Sequence, residues 1–343
     1  MALWRGERGG TGAGIGTLGV LRFALLASGL TRNGAGPLGW SAAAWYVVAT
    51  ARHFMTIRSW LADRRNPALQ EALGVRPSLV RCIARPYLNA GWGAARRMDA
   101  IHQHYKLLRG RHAFLRFHPY LPVPLAAVGD TVRISLEKAT WLEHEGELTL
   151  SVFCSGSRVY SLVFTLGEVD GRIVAYVGAL QGLGTGDALG IYRALTRRMQ
   201  GLRPRDLLIS AFRTLCAALE VERILAVSDA ACVGRSKYFG RRVRVLSSYD
   251  RAWAENGGAP VDGGFFELSP RSARRVMADI PSRKRAEHRR RYAMLDELAD
   301  AIHRAVEHAA ATFQPPLGLV AGASEQPGDS WSSDFAISAF SRL

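Results

Sequence analysis

Val132-Arg133-Ile134-Ser135-Leu136 and Leu148-Thr149-Leu150-Ser151-Val152 alternate apolar and polar residues, the period-two signature of strands with one buried face. Ser155-Gly156-Ser157 supplies a turn into the apolar run 159–166. Asp170-Gly171, a pair that tolerates the positive φ of a tight hairpin, leads into a further run over 173–180. Four strands joined by short turns predict an antiparallel meander.

Toward the C-terminus the period lengthens. Asp187 is placed to cap a helix reaching about Met199, and Pro204 suits the first turn of a second helix, with Asp206 favourable to its dipole. Leu207, Leu208, Ala211, Phe212, Leu215 and Leu219 form one apolar stripe on that second helix. It ends in Arg223-Ile224-Leu225-Ala226-Val227, a short buried strand, followed by a short helix and strands over 243–247 and 265–268. A long basic helix is predicted over 282–311, with Tyr292, Leu295, Leu298, Ala299 and Ile302 along one side.

Toward the N-terminus, Trp45-Tyr46-Val47-Val48, Phe54, Ile57 and Leu61 recur at helical spacing, and Asn66-Pro67 and Arg76-Pro77 cut the region into short helices. Pro119, Pro122 and Pro124 give the stretch 114–130 the composition of a connecting loop. The expected architecture is α+β: a Gly-rich leader (1–40), a helical N-terminal region (41–125), a mixed, mostly antiparallel sheet flanked by helices (126–270), a basic C-terminal helical region (271–312) and a mobile tail (313–343).

The 343-residue chain carries 45 Lys+Arg against 29 Asp+Glu, a net charge of +16, and its 48% apolar content excludes wholesale disorder. Only Lys106, Lys138, Lys237 and Lys284 are lysines, so most of the charge is arginine spread through an Ala- and Gly-rich sequence. Cys82, Cys154, Cys216 and Cys232 lie far apart with no C-x-x-C pair, which fits a reducing compartment and lacks zinc-ribbon or thioredoxin spacing. Arg5 and Arg8 precede an apolar run over 15–27, but Arg22 and a series of glycines break its resemblance to a secretion signal. A cytoplasmic location with no transmembrane segment is therefore expected.

Gln181-Gly182-Leu183-Gly184-Thr185-Gly186 lies between the fourth strand and a helix, where glycines allow close approach of a phosphate to unpaired backbone donors. Ser228-Asp229-Ala230 and Tyr238-Phe239-Gly240 follow the fifth strand. With the element order, these two stretches resemble the core of the GNAT N-acyltransferases over roughly 130–270. The resemblance implies acyl-CoA as co-substrate and an amine as acceptor. It also implies a pyrophosphate held at Gln181, Gly182, Gly184 and Gly186, and Tyr238 as the acid that protonates the departing thiolate. This chain has two helices where those enzymes usually have one, so the second turn, with Arg203 and Arg205 flanking a helix start, is an alternative phosphate site. A Gly-rich turn between strand and helix is also a common structural feature, and Tyr238 has an equally ordinary reading as a half-buried aromatic.

Dispersed blocks resemble a second family across about 50–305: His102-Gln103-His104-Tyr105, Leu136-Glu137-Lys138-Ala139, Gly178-Ala179-Leu180-Gln181-Gly182, Tyr249-Asp250-Arg251-Ala252-Trp253, Gly263-Gly264-Phe265-Phe266-Glu267-Leu268 and the run 284–292. They are similar to blocks of the bacterial VirK/YbjX family, whose domain has no assigned reaction. That resemblance implies a link to virulence or cell-envelope functions.

Glu137 and His144 are the candidate bases, His144 because the run 141–147 sets three acids around it; such a run also reads as a solvated turn. His102 and His104, two apart on a predicted helix, point away from each other, so no metal site is assigned. No nucleophile elbow or P-loop lysine motif occurs. The run 270–291 holds nine Lys+Arg against two Asp+Glu, and Arg289, Arg290 and Arg291 are its candidate contact to anionic lipid or nucleic acid, against the ordinary reading of a solvated helix face. Acyl transfer to an amine is the leading function; a non-catalytic envelope-stress or regulatory binding protein on the same fold is the alternative.

Overall fold

A computed structural model describes residues 46–313 except 64, 117–121, 139, 184–186, 237–247 and 272–273. Helices α1 (Phe54–Ala62), α2 (Pro67–Val75) and α3 (Ala94–Leu107) precede strands β1 (Val123–Val128), β2 (Val132–Glu137), β3 (Leu148–Cys154), β4 (Ser157–Val169) and β5 (Arg172–Gly182). Helices α4 (Ala188–Arg198) and α5 (Pro204–Ala218) lead to β6 (Arg223–Val227). Helix α6 (Tyr249–Glu255), strands β7 (Ala259–Val261) and β8 (Phe265–Leu268), and helix α7 (Ser282–Thr312) complete the chain. The sheet order is β1-β2-β3-β4-β5-β6-β8-β7, and every pairing is antiparallel except β5 with β6.

The local chemistry explains the elements. Asp187 Oδ1 accepts from the Gly190 amide at 2.9 Å to start α4, and Asn66 Oδ1 accepts from Leu69 at 3.2 Å to start α2, which has Pro67 in its first turn. Asp170 (φ 52°) and Gly171 (φ 76°) make the β4–β5 hairpin, both central residues left-handed as a primed turn requires. Phe164 of β4 meets Phe212 of α5 with ring centroids 4.9 Å apart. Its neighbour Thr165 faces the other way, toward α3, so the sheet is covered on both sides. One continuous apolar core runs from Tyr46 to Val306.

Two expectations need correction. The proline-rich stretch is not all loop: Val123–Val128 is an edge strand, and Pro124 is accommodated because the β1–β2 register shifts between Pro124 and Ala126. The acidic run 141–147 is not a solvated turn, since Glu147 is 4% exposed. The expected strand at 243–247 lies outside the described residues, as do the leader and nearly all of the tail. Among the described residues no helix is long and apolar enough to cross a membrane.

Candidate functional site at the parting of strands β5 and β6

The parallel pair β5–β6 is hydrogen-bonded only from Val174↔Arg223 to Val177↔Ala226, although β5 continues to Gly182. The break coincides with a bulge: Val163 pairs with Ala179 and Phe164 with Val177, leaving Gly178 as the extra residue on β5. A glycine is required there because the Glu145 backbone lies directly against the Gly178 Cα, where a Cβ would overlap it. Beyond the break, side chains of α6 lie against both strand tails. The Ser228 amide donates to Gly264 on the β8 side, so the Val227 carbonyl faces β5, and there it accepts from the Trp253 indole at 2.9 Å. Tyr249 is buried on the same helix, with its hydroxyl beside the Leu180 backbone.

Glu145 sits at this parting, half-buried. Burial pushes its pKa up to about 7, with Glu143 adding to the rise. The segment 87–90 ties this loop to the far lip. The Leu88 amide donates to the His144 carbonyl at 2.7 Å, Asn89 Nδ2 donates to the Gly263 carbonyl at 2.9 Å, and the Ala90 amide donates to Ala231 at 2.8 Å.

Behind Glu145, Glu147 is enclosed by an ordered set of donors. The Tyr105 hydroxyl (2.7 Å) and Tyr87 hydroxyl (3.1 Å) donate to its carboxylate, which also pairs with Arg76. Burial alone would raise its pKa, but Arg76 and these hydroxyls outweigh it and hold the carboxyl below the usual range. His104 Nδ1 accepts from the Leu166 amide at 3.2 Å, and burial pushes this imidazole down to about 3.

At the other end of β5, Gln181 and Gly182 close the strand, and the Leu183 amide donates to the Tyr192 hydroxyl at 2.6 Å. A groove of about 460 Å³ opens beside them, lined by Tyr160 and Tyr192 and by Arg193, Arg197, Arg203 and Arg205. Arg203 donates to Glu255 at 3.1 Å, and Arg205 to Glu255 and, at 3.0 Å, to Asp206. Arg193 and Arg197 are exposed on α4, with no ion pair to an acidic group among the described residues.

The expected site residues are thus dispersed. Gln181, Gly182, Arg203 and Arg205 gather around or beside the groove, whereas Gly184, Gly186 and Tyr238 lie outside the described residues. Glu137 ends β2 and pairs with Arg158 at 2.7 Å; its register, through Thr149 and Val163 to Ala179, sets it three strand spacings, about 14 Å, from β5. His144 shares the Glu145 loop, but its ring is set in a cavity with Arg76, Arg81 and Tyr87, and burial holds its pKa below the usual imidazole range. His102 contacts Asp63 at 3.0 Å while His104 turns to Leu166, so the two histidines serve separate partners. Glu145, Tyr249, Arg193 and Arg197 were not singled out by sequence. Gly178, a glycine in the middle of an apolar strand, was the available sign of a close backbone approach.

The molecule is therefore a mixed-sheet α+β protein with a parted parallel strand pair and an arginine-lined groove beside it. Residues 40–304 match the family model described as a protein of unknown function (DUF535), and the chain belongs to that family. It is 31% identical over 249 residues to the Escherichia coli (strain K12) protein named "Uncharacterized protein YbjX", covering 70% of this chain and 76% of that one. Two "Uncharacterized protein" sequences of Haemophilus influenzae are also similar. One is 25% identical over 222 residues (63% of this chain, 74% of that one), and the other is 28% identical over 224 residues (64% and 73%).

Proposed function

We propose that this protein transfers an acyl group from an acyl-CoA or related thioester to an amine. The observation that carries the reading is the parting of β5 from β6 at Gly178, next to the Gln181 turn. Because α6 already covers the Val227 carbonyl and lies against Leu180, the reading places an extended amide-bearing arm along the end of β5, at Gln181 and the exposed Gly182, where it would add as a further strand. The groove of arginines and tyrosines supplies the other half: guanidinium groups for a pyrophosphate and aromatic faces for a base. Arg193 and Arg197 are the cations assigned to the phosphates, because Arg203 and Arg205 are already engaged by Glu255. The link to cell-envelope functions implied by the family resemblance stays part of this proposal.

The test is a thermal-shift titration with acetyl-CoA and a long-chain acyl-CoA, paired with thiol release against a panel of amines. Acyl-CoA at a hundredfold excess over Kd stabilises by about 2.7 kcal/mol. Arg193→Gln with Arg197→Gln should remove most of that shift and leave the unliganded Tm unchanged, since both side chains are exposed. A full shift in the double variant removes the groove from the site. A shift without thiol release from any amine supports the non-catalytic binding protein.

A further inference from the structure

We infer that the outer face of the helical segment 46–62 docks on an anionic lipid surface, a contact that uses none of the groove's residues and is independent of the transfer reading. Residues 46–52 are helical, and the helix continues through His53 into α1: the His53 amide donates to Ala49 and the Ile57 amide to His53, both at 3.0 Å. The inner face, with Ala49, Ile57, Trp60 and Leu61, belongs to the core. The opposite face is apolar as well. Val48 is 58% exposed and Met55 70%, Ala51 and Ala62 are exposed at the same helical spacing, and Val47 lies at the edge of the strip. A helix that is apolar on both faces has a second surface to cover.

The charges around that strip select its occupant. At the α-helical pitch, Arg52 falls about 60° to one side of Met55 and Arg58 about 60° to the other, and both are exposed. Residues 46–62 contain no acid, and Asp63, the first to follow, turns to His102 at 3.0 Å. Two copies meeting through this face would set arginine against arginine. The segment 1–45 is cationic too, with four arginines and one glutamate, so it does not complement the strip. A nucleic-acid backbone would attract Arg52 and Arg58 but offers nothing apolar to Val48 and Met55. An anionic bilayer offers both, phosphate at the headgroup level for the guanidinium groups and acyl chains beneath for the strip. The helix then lies in the plane of the surface, with its inner face still on the core.

The experiment is co-sedimentation of the full chain with mixed phosphatidylglycerol–phosphatidylcholine vesicles and with phosphatidylcholine alone. It compares wild type, Val48→Gln with Met55→Gln, Arg52→Gln with Arg58→Gln, and an α7 control carrying Arg283→Gln, Lys284→Gln and Arg289→Gln. Wild type should bind the anionic vesicles and not the neutral ones. The apolar pair should weaken binding by roughly tenfold or more per side chain. The arginine pair should weaken it by roughly fivefold per charge and make it less sensitive to added salt. Tm without lipid should stay unchanged in both, because the substituted side chains are exposed and Gln is a good helix former. Undiminished vesicle binding in either pair, or loss in the α7 control alone, overturns the assignment. So does a lowered lipid-free Tm or a changed oligomeric state in the apolar pair, which marks the face as covered by another part of the chain or by a second copy. Wild type that ignores anionic vesicles, or binds oligonucleotides instead, overturns it as well.

Discussion

Glu147 is the residue whose surroundings say most about how this fold is held. Its carboxylate gathers Arg76 from the N-terminal region and the hydroxyls of Tyr87 and Tyr105, while its own amide donates to Thr165 of β4 at 3.2 Å. Removing one partner from such a site leaves the rest unpaired in a poorly solvated place. Glu147→Gln should therefore destabilise by roughly 3–5 kcal/mol, toward the lower end because Arg76 keeps 25% of its side chain in solvent. The pH dependence has a definite sign. The folded-state pKa lies below the unfolded value, so the stabilisation is complete above the ordinary carboxylate range and is lost as pH falls through the folded value. Urea melts of wild type and Glu147→Gln should differ most near neutrality and converge in acid; a difference independent of pH would contradict the charge-based account.

At the scale of elements, α7 shows how a run of charge divides into separate tasks. Arg291 Nε donates to the Gln200 carbonyl at 2.8 Å and Arg290 Nε to the Gln200 side chain at 3.0 Å, fixing α7 to the turn between α4 and α5. That turn needs support, because Gln200 (φ 53°) and Gly201 (φ 77°) are both left-handed. Arg283, Lys284 and Arg289 are exposed, so within the basic stretch 282–291 they are the cations on which the proposed contact to an anionic surface rests. Changing these three to Gln should reduce retention on anionic vesicles or oligonucleotides at low salt, with Tm within the narrow range of surface substitutions. Arg291→Gln should instead lower Tm, through about 1–3 kcal/mol of unsatisfied carbonyl and lost pairing. Retention that ignores both the substitutions and added salt would leave α7 as a solvated face.

At the scale of the whole molecule, the helical N-terminal region, the sheet and α7 share one apolar core. Leu298, Ile302 and Val306 of α7 are buried, and the helix packs against α5 and the edge strand β1. That contact covers part of an edge strand whose bulge and proline already discourage pairing with another chain. Ile302 is fully buried, so Ile302→Ala should cost about 2–5 kcal/mol. Because the core is continuous, the loss should appear as one cooperative transition with coincident circular dichroism and tryptophan fluorescence. Two separated transitions would show that α7 or the N-terminal helices unfold on their own.

Local signals were enough for most of the elements. Period-two runs, Asp170-Gly171, the Asp187 cap, Pro204 and the apolar stripe of α5 are encoded within a few residues of where they act, so β2–β6, α4, α5 and α7 were legible from sequence. Strand β1 was not, because a proline's cost depends on whether its missing N–H faces a neighbour, and only the sheet order makes Pro124 an edge residue. The roles within the acidic run were equally hidden. Glu143, Glu145 and Glu147 are chemically alike and two residues apart, yet Glu147 meets Arg76, 71 positions away, while Glu145 meets the Gly178 bulge. Sequence determined that carboxylates and a mid-strand glycine were present; the tertiary structure decided which carboxylate is neutralised by an arginine and which of these residues sets its backbone against the parted strands. The physical reason is that a pKa and a partner follow from burial and from charges brought close by folding, and neither is a property of neighbours in the chain.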